Sequence, residues 1–111
     1  MKVCVPLAEG GSVDPRWGRA ERVAIADVSD GSILGWREYE VGWGRQHDAG
    51  PEGAHHARIA GFLRDHGIQV VVANHMGPPM AHMLEKMGIE VHLGAEGHAG
   101  DAVVKALGRS R

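Results

Sequence analysis

The stretch QVVVANHMGPPMAHMLEKMGIEV, residues 69–91, decides the architecture. Its first five residues, Gln69 to Ala73, form a continuous apolar run of strand length, suited to a strand buried on both faces. Asn74 to Pro79 follow as a loop, with Gly77 permissive and Pro78-Pro79 opening the next element rigidly. Met80, Met83, Leu84 and Met87 then fall at i, i+3, i+4 and i+7, a helical stripe closed by Gly88. Ile89 to Leu93 is a second short strand. Strand, helix, strand in that order is a βαβ unit, which runs parallel with a right-handed crossover.

Upstream of this unit, Val3, Val5 and Leu7 open the chain as a short strand, which Pro6 and the Gly10-Gly11 turn are expected to end. Residues 12–20 read as a loop, because Asp14-Pro15 favours a turn and Gly18 is permissive. Val23, Ile25 and Asp27 share one face of a second strand. Asp30-Gly31 marks a hairpin turn, and residues 33–41 return as the third strand. Residues 42–51 show no period and are read as a glycine-rich connection. A helix is expected from Pro51 to Gly67 on an Ile59, Ala60, Leu63 stripe with Phe62 at its edge. After the central unit, Ala99, Val103, Ala106 and Leu107 define a last helix ended by Gly108. The order is β-β-β-α-β-α-β-α, an α/β fold with one mixed five-stranded sheet covered by helices.

At 111 residues the chain has the size of one domain, and residues 1–111 are read as one. Twelve Lys and Arg against fourteen Asp and Glu give a net charge of −2, which removes the attraction that most nucleic-acid binders rely on, so no nucleic-acid partner is expected. One cysteine, Cys4, excludes an internal disulfide framework and any four-cysteine metal site within one chain. The amino-terminal residues lack the pattern of a signal peptide, and no stretch approaches the ~20 apolar residues of a membrane span. No membrane partner is expected, and the location is read as cytoplasmic.

The eight histidines carry whatever chemistry there is. His75 follows the apolar strand, and ligands of open α/β sheets gather at the carboxyl ends of parallel strands. His55 and His56 stand in the first turns of the helix beginning near Pro51, where free N–H groups and the helix dipole favour anions. Adjacent helical residues diverge by about 100°, so the two do not chelate one ion together. His47, in the preceding connection, can approach the same place. Each of the four is equally readable as an ordinary surface histidine. His82 lies opposite the methionine stripe and is read as exposed, while His66 suits a helix carboxyl end. His92 and His98 have no spacing argument. The methionine stripe is read as core packing, Met76 lies off it in the candidate loop, and Cys4 is read as a buried free thiol. Trp17 and Trp43 fall in loops that can flank a ligand mouth.

Four fragments taken in order resemble the dinitrogenase iron–molybdenum cofactor biosynthesis family, the NifX-like and NifB carboxyl-terminal-like domains. They are Arg16-Trp17-Gly18-Arg19-Ala20, Gly53-Ala54-His55-His56-Ala57, the run from Val70 to Pro78, and Gly88-Ile89-Glu90-Val91. The resemblance implies a ribonuclease-H-like three-layer fold and a role in binding or carrying a nitrogenase cofactor or its precursor cluster. Many members of the family stand apart from any nitrogenase. Arg16 and Gly18 join His55, His56, His75 and Gly77 as expected cofactor-binding residues, with His75, His55, His56 and His47 as candidate metal ligands. The sequence departs from the family where His-Phe-Gly-Arg is replaced by Arg16-Trp17-Gly18-Arg19, where His75 stands before Gly77, and where His56 doubles His55.

The ribonuclease-H-like plan invites a nuclease reading, but two-metal chemistry requires clustered carboxylates, and none precedes Glu9 on the first strand. Asp27 and Asp65 show no evident partners, and no phosphate loop or nucleophile motif is present. The expectation is a non-catalytic carrier of an iron–sulfur or iron–molybdenum-type cluster, a monomer or homodimer that meets a cluster donor or acceptor protein. Two alternatives stand beside it. One is a transition-metal buffer that uses imidazoles alone, and the other is a partner-docking module unrelated to nitrogenase.

Overall fold

The computed structural model describes residues 1–47 and 52–108, the side chains of Gln46, His47 and Glu52 excepted. Five strands, β1 (Lys2–Leu7), β2 (Arg22–Ser29), β3 (Ser32–Glu40), β4 (Val70–Val72) and β5 (Glu90–His92), form one sheet in the order β3-β2-β1-β4-β5. β1 pairs antiparallel with β2 and β2 with β3, while β1–β4 and β4–β5 are parallel. Four helices, α1 (Trp43–His47), α2 (Glu52–Asp65), α3 (Pro78–Lys86) and α4 (Ala99–Gly108), complete the fold.

The central strands are buried on both faces, so the sheet has two cores. On one face Cys4, Val23, Ile25 and Val71 meet Trp43, Ile59, Leu63, Met80 and Leu84 from α1, α2 and α3. On the other, Val3, Val5, Ala24, Ala26, Val70 and Val72 meet Ala99, Ala102 and Val103 of α4. Helices on both faces make three layers, the ribonuclease-H-like arrangement. The Met80, Met83, Leu84, Met87 stripe does pack as core, with Met80 and Leu84 buried and the other two half-buried against them.

Local chemistry explains most boundaries. Asp30 and Gly31 both hold positive φ, 52° and 77°, the twist that a two-residue hairpin turn between β2 and β3 requires. Gly67 ends α2 with φ 64°, its N–H donating to the Arg64 carbonyl while Ile68 N–H reaches Leu63, the pairing that closes a helix on a left-handed residue.

Two expectations need correction. β1 runs through Pro6 to Leu7 instead of stopping at the proline. The Pro6 carbonyl accepts from Asp14 N–H, away from β2. The N and C=O of one strand residue point to the same side, so the missing N–H falls where the ladder to β2 needs none. Next, residues 43–47 of the connection form helix α1, anchored by Trp43, which is 2% exposed against Trp17. Asp27 pairs with cations, the terminal ammonium and Lys2 at 3.5 Å each, and not with another carboxylate. Pro51, expected to open α2, lies outside the described residues.

Candidate functional site

β1 and β3 run parallel to β4, so the carboxyl ends of all three strands meet at one edge of the sheet, together with the amino ends of α2 and α3. The chain leaves β1 toward β2 on one side, while β4 leads to β5 on the other, which places a crevice between the loops at the switch point. There a cleft of about 160 Å³ is lined by Trp17, Gly18 and Arg19 after β1, His55 and His56 of α2, and Met76, Gly77, Pro79 and Met80 around the start of α3. That is the volume of about five water molecules at ~30 Å³ each, the scale of a small inorganic guest.

His55 is 2% exposed, and its Nε2 lies 2.8 Å from the Gly18 carbonyl. A carbonyl only accepts, so Nε2 carries a proton, and in the neutral tautomer that this bond selects the lone pair is on Nδ1. Orientation of one imidazole nitrogen by a backbone carbonyl is the arrangement seen behind metal-ligating histidines, and it also ties the loop after β1 to α2. His56, half-buried, lines the same cleft with its ring centroid 6.4 Å from that of His55. The buried position of His55 was readable in the sequence: His55, Ile59 and Leu63 recur every four residues on one helical stripe, and all three are buried.

The loop after β1 is built rather than slack. Asp14 Oδ1 accepts from Arg16 N–H at 2.9 Å, Trp17–Arg19 turn as one 3₁₀ unit, and Trp43 N–H donates to the Ala20 carbonyl at 3.0 Å. Trp17 is 1% exposed and packs edge-on against Trp43 at 5.1 Å between ring centroids. Its indole N–H is buried and finds no acceptor among the described residues, a deficit of order 1–3 kcal/mol. Both tryptophans are therefore core groups, and only Trp17 lines the cleft.

The start of α3 is poorer in donors than an ordinary helix. Gly77 is its N-cap, and both following positions are proline. The two prolines lack N–H groups, so most of the donors that would favour an anion here are missing. The positive charge on the cleft wall is that of Arg19, and no carboxylate lines it among the described residues.

The structure thus gathers Gly18, His55, His56 and Gly77, and adds Trp17, Arg19, Met76 and Met80. Arg16 and His75 are exposed and stand outside the lining. The His47 side chain lies outside the described residues. Met76 had a signal in its loop position off the stripe. Arg19 had none beyond the fragment that contains it. A larger cleft, about 560 Å³, lies between the loop after β5 and α4 and is lined by His92, Glu96, Lys105 and small apolar residues. It contains none of the expected cofactor residues. Among the described residues no three of His, Cys, Asp and Glu gather to hold a metal ion.

Other histidines have structural settings. His66 packs against Phe62 and Tyr39 at centroid distances of 4.4 and 4.8 Å, His92 bonds Glu90, and His82 is exposed. Cys4 is fully buried between β2 and β4, and that burial pushes its thiol far above the ordinary range. The thiolate is the reactive form. Cys4 is therefore expected to resist a thiol reagent in the native protein and to react on denaturation. Rapid labelling without denaturant would show that the strand opens.

Fold and cleft together define a small α/β domain with a cleft at a sheet switch point. The chain belongs to the dinitrogenase iron–molybdenum cofactor family, whose family model matches residues 1–109. No curated protein matches it. Among solved structures, PH0822 is 23% identical with a TM-score of 0.77, covering 100% of this chain and 93% of that one. The apo form of the orange protein from Desulfovibrio gigas is 22% identical with a TM-score of 0.76, over 98% of this chain and 88% of that one. These likenesses establish the shared fold. Among the described residues no helix is long and apolar enough to cross a membrane.

Proposed function

We propose that this protein carries a preformed, anionic iron–sulfur or iron–molybdenum-type cluster in the cleft between Trp17–Arg19, His55–His56 and Met76–Met80, without transforming it. The observation that carries the reading is the lining itself: one guanidinium, two imidazoles and two thioethers, with no carboxylate. Thioethers and imidazoles are soft or borderline donors, and a positive wall suits a negative guest. A bare ion would find an incomplete donor set here. A cluster brings its own sulfides and needs few protein ligands, which accords with membership of a cofactor family. His55, through Nδ1, and His56 are the proposed ligands, and Arg19 supplies the charge. Gly18 and Gly77 keep the backbone close. Transfer to or from a donor or acceptor protein follows from a cleft open at the loop edge.

The test is anaerobic incubation with an iron–sulfide cluster capped by small thiols, then desalting and analysis of iron, sulfide and visible absorbance. About one cluster per chain is expected to remain. Reversing the charge with Arg19→Glu should weaken retention about tenfold, since an attraction becomes a repulsion at the cleft wall. Uptake of zinc or nickel without sulfide, together with no cluster retained, would overturn the reading.

A further inference from the structure

We infer that the Trp17 indole N–H donates to a terminal sulfide or oxo group of the guest, which makes Trp17 a ligand-binding residue and restricts the guest to anions rich in acceptors. This rests on the cluster reading above. Trp17 lines the cleft beside Gly18, His55 and Met76, is 1% exposed, and its Nε1 finds no acceptor among the described residues. Buried indoles ordinarily find a partner, because a donor removed from water with nothing in exchange is a standing cost. Indole nitrogen is a donor only, so the missing partner is an acceptor. A bare cation does not meet that requirement. A terminal sulfide or oxo group on an anion does, and bonds to charged acceptors are the stronger kind.

The surroundings favour the same assignment. Pro78 and Pro79 leave the start of α3 short of backbone donors, so a side-chain N–H makes good part of that lack. Reaching the sealed N–H requires a lining side chain to yield. Met76 and Met80 are unbranched thioethers that adapt with little strain. The competing partner is the ring face of Trp43, 5.1 Å away at an interplanar angle of 65°. An N–H···π contact is weak and gives way to a charged acceptor.

The experiment follows the indole N–H signals of the whole ¹⁵N-labelled protein during titration with tetrathiomolybdate and, separately, molybdate. The two probes distinguish sulfide from oxo acceptors. Trp17→Phe keeps an aromatic ring, removes the donor, and identifies the Trp17 signal among those of Trp17, Trp36 and Trp43. Saturating anion is expected to move the Trp17 proton downfield, and Trp17→Phe to bind about tenfold more weakly. Should that variant fail to fold, the wild-type shift, assigned through contacts to Trp43, decides alone. A wild type that retains the iron–sulfide cluster with its Trp17 signal unmoved overturns this inference only. A wild type that takes up neither the cluster nor either probe overturns the cluster reading with it.

Discussion

Gly44→Ala is expected to lower stability by about 3 kcal/mol and to loosen the cleft, although residue 44 does not touch it. A Cβ built on Gly44 would lie 2.6 Å from the Arg19 carbonyl oxygen and 2.6 Å from a Glu21 carboxylate oxygen. The carboxylate is the end of a flexible side chain and moves cheaply. The carbonyl is backbone, and it belongs to the 3₁₀ turn that carries Trp17, Gly18 and Arg19 into the cleft. Relief therefore means pushing the turn or α1 outward, which parts Trp43 from Trp17. For a chain of this length ~3 kcal/mol corresponds to a fall of roughly 12–15 °C in Tm, measurable by calorimetry, with weaker cluster retention alongside. The contrast is Gly61→Ala inside α2, where a Cβ would meet only Arg64 Nη2 at an ordinary 3.7 Å. It should stabilise by about 0.5–1 kcal/mol, because alanine loses less backbone freedom than glycine in a helix. Equal melting of the two variants would remove the packing argument for the turn.

Gly44 also shows what a linear reading misses. The sheet plan was legible because its signals are local: the Val70–Val72 run, the Asp30-Gly31 turn and the helical stripe of Met80, Met83, Leu84 and Met87 each specify one element. Helix α1 has no such signal. Its five residues, WGRQH, have no periodic stripe, and what holds it is a tertiary contact between Trp43 and Trp17, 26 positions apart in the sequence. The same distinction separates the candidate histidines. His55 sits on a stripe with Ile59 and Leu63, so its inward direction is a matter of helix geometry. His75 sits in a loop, where nothing periodic sets direction, and the structure leaves it exposed while its neighbour Met76 is buried. Arg19 and Trp17 join the cleft only because the 3₁₀ turn folds back across the carboxyl end of β1. Position near a strand end was the right signal for the region and too coarse for the residue.

His55→Ala is expected to cost about 2–3 kcal/mol and to abolish stable cluster retention, and the two losses have separate origins. The stability loss follows from removing the donor to Gly18 at 2.8 Å, which leaves a carbonyl short of its partner, and from the space vacated by a ring only 2% exposed. The retention loss follows from deleting the Nδ1 lone pair that the tautomer presents. His55→Gln separates them. A glutamine amide has an N–H group to offer the Gly18 carbonyl but no imidazole lone pair. It should recover about half of the lost stability, or ~1 kcal/mol, while retention stays absent. Denaturant midpoints and iron and sulfide retained after desalting provide the two readouts. If His55→Gln regained retention along with stability, His55 would be a brace between the loop and α2 and the cluster would have its ligands elsewhere. If His55→Ala lost retention with no change in stability, the Gly18 bond would carry no weight in the fold. The reading requires that one ring do both, because the Nε2 bond to Gly18 that steadies the loop is the same bond that selects the tautomer with its lone pair on Nδ1.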